Sequence, residues 1–118
     1  MANPNIVNVT QIYGISNVAA LTSSTANIVT NPSGSNEVLK LNSVSVGNYS
    51  GANITCNVMI NRSGTVYYFA GNVTVPSYST LIVVGKDNGV YLNEGDVLQA
   101  NCNASPAGTI IASYDEIG

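Results

Sequence analysis

The sequence predicts an all-β fold, a β-sandwich of about eight antiparallel strands, with a small β-barrel as the alternative closure. Three observations carry this. Short runs alternate apolar and polar residues at period two. Clusters of Gly, Pro and Asn punctuate them roughly every 8 to 15 residues. No crossover helix separates the strands, so α/β architectures fall away. The stretch from Tyr78 to Ala104 shows the grammar best: an apolar run, Leu81 to Val84, a turn at Gly85 to Gly89, a short strand, Val90 to Leu92, a tight turn at Asn93-Glu94-Gly95-Asp96, and an alternating strand from Val97.

Taken in order, residues 1–17 read as an N-terminal strand or extended arm, and residues 18–118 as a single sandwich domain. Ile6 to Tyr13 is the candidate strand of the arm, and Gly14 to Asn17 interrupts it. Exposed strands of this kind pair readily with a neighbouring subunit. Ala19-Ala20-Leu21 opens a strand or a single helical turn, and Ala26 to Thr30 is a short strand closed by the loop Asn31-Pro32-Ser33-Gly34-Ser35. Glu37 to Val46 alternates, but its apolar parity switches after Leu41, which signals a bulge or a strand whose halves serve different sheets.

Ala52 to Asn61 is the cleanest strand: Ile54, Cys56, Val58 and Ile60 point inward, and Asn53, Thr55, Asn57, Met59 and Asn61 outward. A three-residue connection, Arg62-Ser63-Gly64, joins it to Thr65 to Ala70. Gly71-Asn72 breaks that run before Val73 to Val75. In the strand from Val97, Leu98, Ala100, Cys102 and Ala104 share one face. Thr109 to Tyr114 is the final strand, and Asp115-Glu116 an acidic tail.

The composition fits one domain of 118 residues. It is 45% hydrophobic and 8% charged, against roughly 25% charged in an ordinary domain. Scarce charge among many Asn, Ser and Thr suits a protein whose surface meets other protein surfaces, because desolvating charge is costly while amides and hydroxyls are satisfied by hydrogen bonds. Lys40, Arg62 and Lys86 are the only basic side chains, too few to neutralise a run of phosphates, so a nucleic-acid partner is not expected. The opening MANPNIVNV has no basic segment followed by a long apolar core, so no signal peptide is expected, and no apolar run is long enough for a membrane helix.

No catalytic constellation emerges. The chain has no histidine, which removes Ser-His-acid and Cys-His arrangements. Glu94-Gly95-Asp96 reads as a structural turn: Gly supplies positive φ and the carboxylates accept backbone N–H groups. A calcium site built on these oxygens with Asp87, or a paired-carboxylate hydrolase site, is the less favoured reading. No metal and no cofactor are expected. Cys56 and Cys102, in phase with the apolar positions, are either two buried thiols or a disulfide between facing strands. Of the seven tyrosines, Tyr49 and Tyr78 fall in or beside loops and are candidates for a sugar- or partner-binding surface. Tyr67 and Tyr68 are consecutive and point to opposite faces, which places one at a surface or contact. The sequons at Asn8, Asn48, Asn53, Asn61, Asn72 and Asn103 are what an Asn-, Ser- and Thr-rich chain produces by chance.

MANPNIVNVTQIYG, VPSYSTLIVVGKDNGVYLNEGDVLQANCNA and IIASYDEIG resemble a family of small virion proteins of tailed phages that infect cyanobacteria. The resemblance spans most of the chain and rests on general character and the LNEGD turn. It implies a non-enzymatic virion structural protein, foremost a capsid decoration or cement protein. Such a protein is assembled in the host cytoplasm and sits on the capsid surface, where it binds the major capsid protein or another virion protein, commonly as a dimer or trimer, and braces the head. A neck or tail-completion protein, and a carbohydrate- or receptor-binding module of a fibre or tail, are the alternatives. No membrane partner is implied. The candidate contacts are Asn5, Ile6, Val7, Val9, Ile12 and Tyr13 in the N-terminal segment, together with Tyr49 and Tyr78. The cysteine pair departs from the resemblance.

Overall fold

The computed structural model describes residues 11–103 and 108–118, and these form a sandwich of two antiparallel sheets rather than a closed barrel. Nine strands are formed by the described residues: β1 (Ile12–Leu21), β2 (Ala26–Thr30), β3 (Val38–Asn48), β4 (Ile54–Arg62), β5 (Thr65–Val75), β6 (Thr80–Val84), β7 (Val90–Leu92), β8 (Val97–Cys102) and β9 (Gly108–Ile117). The first sheet runs β1-β9-β3. On the far side of β3, β7 pairs with Leu39 to Leu41 and β6 with Val44 to Gly47. The second sheet runs β2-β8-β4-β5.

Alternation fixes the core. Leu39, Leu41, Val44 and Val46 of β3 and Ile110 and Ala112 of β9 face Ile54, Cys56 and Val58 of β4 and Leu98, Ala100 and Cys102 of β8, all buried in one cluster. Each large side chain in it contributes about 1.5–3 kcal/mol by leaving water. The register between β3 and β9 shifts between Leu41 and Ser43. That bulge moves the inward parity from Leu39 and Leu41 to Val44 and Val46, and both halves of β3 stay in one sheet.

Several expected boundaries are corrected. Gly14 to Asn17 does not interrupt a strand, because β1 pairs with β9 without a break from Ile12 to Leu21. Gly14, Ser16 and Asn17 favour turns, but the ten cross-strand pairs of this strand outweigh that local preference. Ala19 to Leu21 is strand, not helical turn. Asp115-Glu116 is not a tail, for both residues pair with β1 and β3.

The β4–β5 connection is a two-residue loop, Ser63-Gly64, with both residues at positive φ (55° and 85°) and Arg62 paired to Thr65. This matches the type I′ turn whose twist suits a hairpin. Gly71-Asn72 does not end a strand either. Asn72 sits at φ 52° inside a continuous β5, next to a register shift opposite Cys56 to Val58. Met59 faces outward as expected, yet it is buried between its cross-strand neighbours Gln99 and Tyr68. Tyr67 and Tyr68 are both exposed, because β5 is an edge strand with little to cover either face.

Candidate contact surfaces

The two outer faces of the sandwich differ in chemistry. On the second sheet, asparagines hydrogen-bond to one another across the strands. Asn101 Nδ2 donates to Thr25 Oγ1 (2.9 Å), Asn57 Nδ2 to Asn101 Oδ1 (2.9 Å), and the Asn72 amide to Asn57 Oδ1 (2.8 Å). A polar row thus crosses from β5 to the start of β2. In the adjoining row, Gln99 Nε2 donates to Asn27 Oδ1 (2.8 Å). These amides are thus tied to one another across the strands.

The first sheet presents small and apolar side chains instead. Registers align Val18 with Ile111, Ile111 with Ser45, and Ser45 with Ile82. These four residues form one row across β1, β9, β3 and β6. Val18 is 67% and Ile82 70% exposed, and Ile111 is also exposed. The next row is Ser16, Ser113 and Ser43, in which the first two hydroxyls bond to each other (3.0 Å). In the next row lie Lys40 and Asp115, paired in register and of opposite sign. The result is a surface with an exposed aliphatic stripe beside a row of serines.

Two asparagines lock the ends of the sandwich. At one end, Asn48 is buried at the end of β3. Its Nδ2 donates to the carbonyls of Ala52 (2.7 Å), Val75 (3.0 Å) and Pro76 (3.1 Å), and its Oδ1 accepts the Ser50 amide and hydroxyl. Together with the bonds Asn48 N–H to Ser79 O and Tyr78 N–H to Ser50 O, this ties the Tyr49 loop to the Tyr78 turn. Tyr78 is 77% and Tyr49 54% exposed. Tyr78 occupies φ 55° in the turn closed by Ser79 N–H to Pro76 O, a conformation a non-glycine residue adopts at a cost.

At the other end, buried Asn31 donates through Nδ2 to the carbonyls of Glu37 and Leu92 (both 3.0 Å), while its backbone exchanges bonds with Asp96 O and Gly95 N–H. The Asn93-Glu94-Gly95-Asp96 turn packs against it with Gly95 at φ 85°. Asp96, 1% exposed, accepts Arg62 Nε and Nη2 (2.9 and 2.6 Å) and the Asn93 amide (2.8 Å). Glu94 Oε1 accepts the Gly34 amide (2.8 Å), and Glu94 Oε2 is buried without a hydrogen-bond partner among the described residues. The described residues hold no cluster of three or more metal-ligating side chains.

The structure brings Tyr49 and Tyr78 together but separates them from Ile12 and Tyr13. The register sets Ile12 level with Ile117 and Val38 at one end of β3, and Asn48 lies at the other, about 30 Å away for a strand of this length. Ile12 and Tyr13 are both exposed. Asn5, Ile6, Val7 and Val9 lie outside the described residues. Strand alternation also rearranges the acids. Asp115 and Glu116 point to opposite faces, and Glu116 instead meets Glu37. Burial, then the hydrogen-bonded Glu116 carboxyl beside it, raises the Glu37 carboxyl above its ordinary value.

Cys56 and Cys102 are direct partners in the β4–β8 register, both buried and not joined by a disulfide. Burial, then the neighbouring Cys102, pushes the Cys56 thiol up to about 11. Sequence reasoning missed the Asn48 and Asn31 hubs. The signal for them was an Asn at each strand end beside a loop, which reads equally as a turn former. No protein-family model matches the chain, and no curated protein matches it either.

Proposed function

We propose that the chain is a non-enzymatic virion structural protein, foremost one that decorates a tailed-phage head by binding its major capsid protein. The observation that carries this reading is the stripe of Val18, Ile111 and Ile82, left exposed on a face whose paired charges, Lys40 and Asp115, are of opposite sign. A stripe of this kind gains free energy when a partner covers it, and the scarcity of charge keeps the desolvation cost low. The sequence resemblance supplies the virion setting, with assembly in the host cytoplasm and neither nucleic acid nor membrane as partner.

Cosedimentation of the purified protein with undecorated heads tests it. Wild type is expected to pellet with heads, and the double variant Val18→Glu, Ile82→Glu to lose at least about tenfold in affinity, because two carboxylates then face an apolar partner. A variant lacking residues 2–10, which leaves β1 whole, measures the contribution of the N-terminal segment. Unchanged binding by the double variant contradicts the assignment of the face.

A second reading, a carbohydrate- or receptor-binding module of a fibre or tail, is supported by the pairing of Tyr49 and Tyr78 at one end, with Tyr78 held at positive φ. Binding on a glycan array that is lost in Tyr78→Ala, with no association to heads, favours it over the first.

A further inference from the structure

We propose that β1 is a self-pairing edge: two copies of the chain join antiparallel through their β1 strands, with Ser16 on the two-fold axis. A sheet edge is normally blunted against such pairing by shortness, bulges, charge or proline. Three edges of this sandwich are. β2 has five residues and a register shift between Asn27 and Val29. β5 carries two register shifts and Asn72 at φ 52°. The β6 and β7 edge is split into five and three residues around a 3₁₀ turn. β1 has none of these devices. It pairs with β9 over ten consecutive residues without a shift, and Ile12 to Leu21 contains neither charge nor proline.

The hydrogen-bond phase shows which groups the edge offers. Gly118 N–H donates to Gln11 O (3.1 Å) beside the Ile12–Ile117 pair. That pair is therefore of the non-hydrogen-bonded kind, and odd-numbered residues from Tyr13 onward exchange bonds with β9. The amides and carbonyls of Gly14, Ser16, Val18 and Ala20 consequently point away from β9. All four residues are exposed, and among the described strands only β9 pairs with β1, so none lies on the side these groups face. Their side chains are short, so a second backbone can approach to the roughly 4.8 Å of a sheet.

A second copy fits this edge best. Ile12, whose pair with Ile117 is non-hydrogen-bonded, also points outward, so the outward set runs from 12 to 20 and is centred on Ser16; the register of greatest overlap sets Ser16 opposite its own copy and Gly14 opposite Val18. Two uncharged strands meet without like-charge repulsion, although the chain carries a net charge of −3. About 30 Å of paired edge buries on the order of 1,000 Å² over both copies, the lower bound for a specific interface. In this register the row from Val18 to Ile82 meets the Gly14, Asp115 and Lys40 row of the second copy, and the Ser16 row meets its own counterpart. The inference does not rest on the virion reading.

Sedimentation velocity on the full chain, together with amide exchange by NMR, tests it. The expected result is a dimer of the 12.2 kDa chain, with the amides of Gly14, Ser16 and Val18 protected in proportion to dimer population. Ser16→Pro removes an outward amide and leaves the β9 ladder its bonds, so it is expected to be folded and monomeric. Asn17→Pro removes an amide bonded to β9 and is expected to lower the melting temperature. A monomeric or trimeric wild type, fast exchange at those three amides at every concentration, or protection that does not vary with concentration overturns the proposal. So does a Ser16→Pro variant that remains dimeric.

Discussion

Asn48→Asp is expected to lower the melting temperature by about 10–15 °C, roughly 3 kcal/mol or more for a domain of this size. The substitution keeps the shape and replaces an amide that donates to three carbonyls with a carboxylate that has nothing to donate. A buried anion facing three carbonyl oxygens is favoured only when protonated, so its pKa in the folded state is raised. The loss is therefore smallest near and below pH 4, where the unfolded carboxyl is also protonated, and it grows as the pH rises. Thermal melts at pH 3.5 and 7 measure this. Equal losses at both values contradict the role assigned to the Asn48 amide.

Joining Cys56 to Cys102 is expected to stabilise the domain by about 2–4 kcal/mol, since the bridge closes a long loop, about two fifths of the chain. Asn103 N–H donates to Thr55 O (3.0 Å) and Cys102 N–H to Thr22 O (2.9 Å), which makes Cys56–Cys102 a non-hydrogen-bonded pair of β4 and β8. Cα atoms in such pairs lie about 4.5 Å apart, within the range a disulfide spans. Oxidation by a small disulfide such as oxidised glutathione gives one protein disulfide and two reduced glutathione molecules. The folded protein is expected to react slowly at pH 8, because both sulfurs are buried and the Cys56 thiol is held at about 11. Oxidation in partial denaturant, followed by refolding, removes both thiols from a titration in guanidinium and raises the urea midpoint. An unchanged midpoint, or the same increase in Cys56→Ala, rules the staple out.

The strands were legible where alternation was strict. The inward face of β4 follows from Ile54, Cys56 and Val58, and the bulge in β3 from the parity switch after Leu41. Breaks were overestimated at Gly14 to Asn17 and Gly71-Asn72, where turn-forming residues lie in strands whose cross-strand pairing outweighs local preference. The exposed aliphatic face proposed as the contact was not legible. Val18, Ile111, Ser45 and Ile82 are distant in sequence, and only the register of four strands aligns them. The Asn-rich composition pointed to a surface satisfied by amides. The residues that carry this, from Thr25 through Asn101 and Asn57 to Asn72, become neighbours only once the second sheet forms. Glu94 and Asp96 looked alike as turn carboxylates, and the fold separates them: Asp96 is saturated by Arg62 and the Asn93 amide, whereas one oxygen of Glu94 is buried without a hydrogen-bond partner among the described residues.

The claim that the chain works as a contact protein on a virion is tested most directly by a cryo-EM map of phage particles that carry it. The account predicts this sandwich at repeated symmetry positions on the head, with the Val18–Ile111–Ile82 face against the shell protein. Its absence from the particle, or its presence with that face turned to solvent and the Asn57–Asn101 face against the shell, contradicts the account.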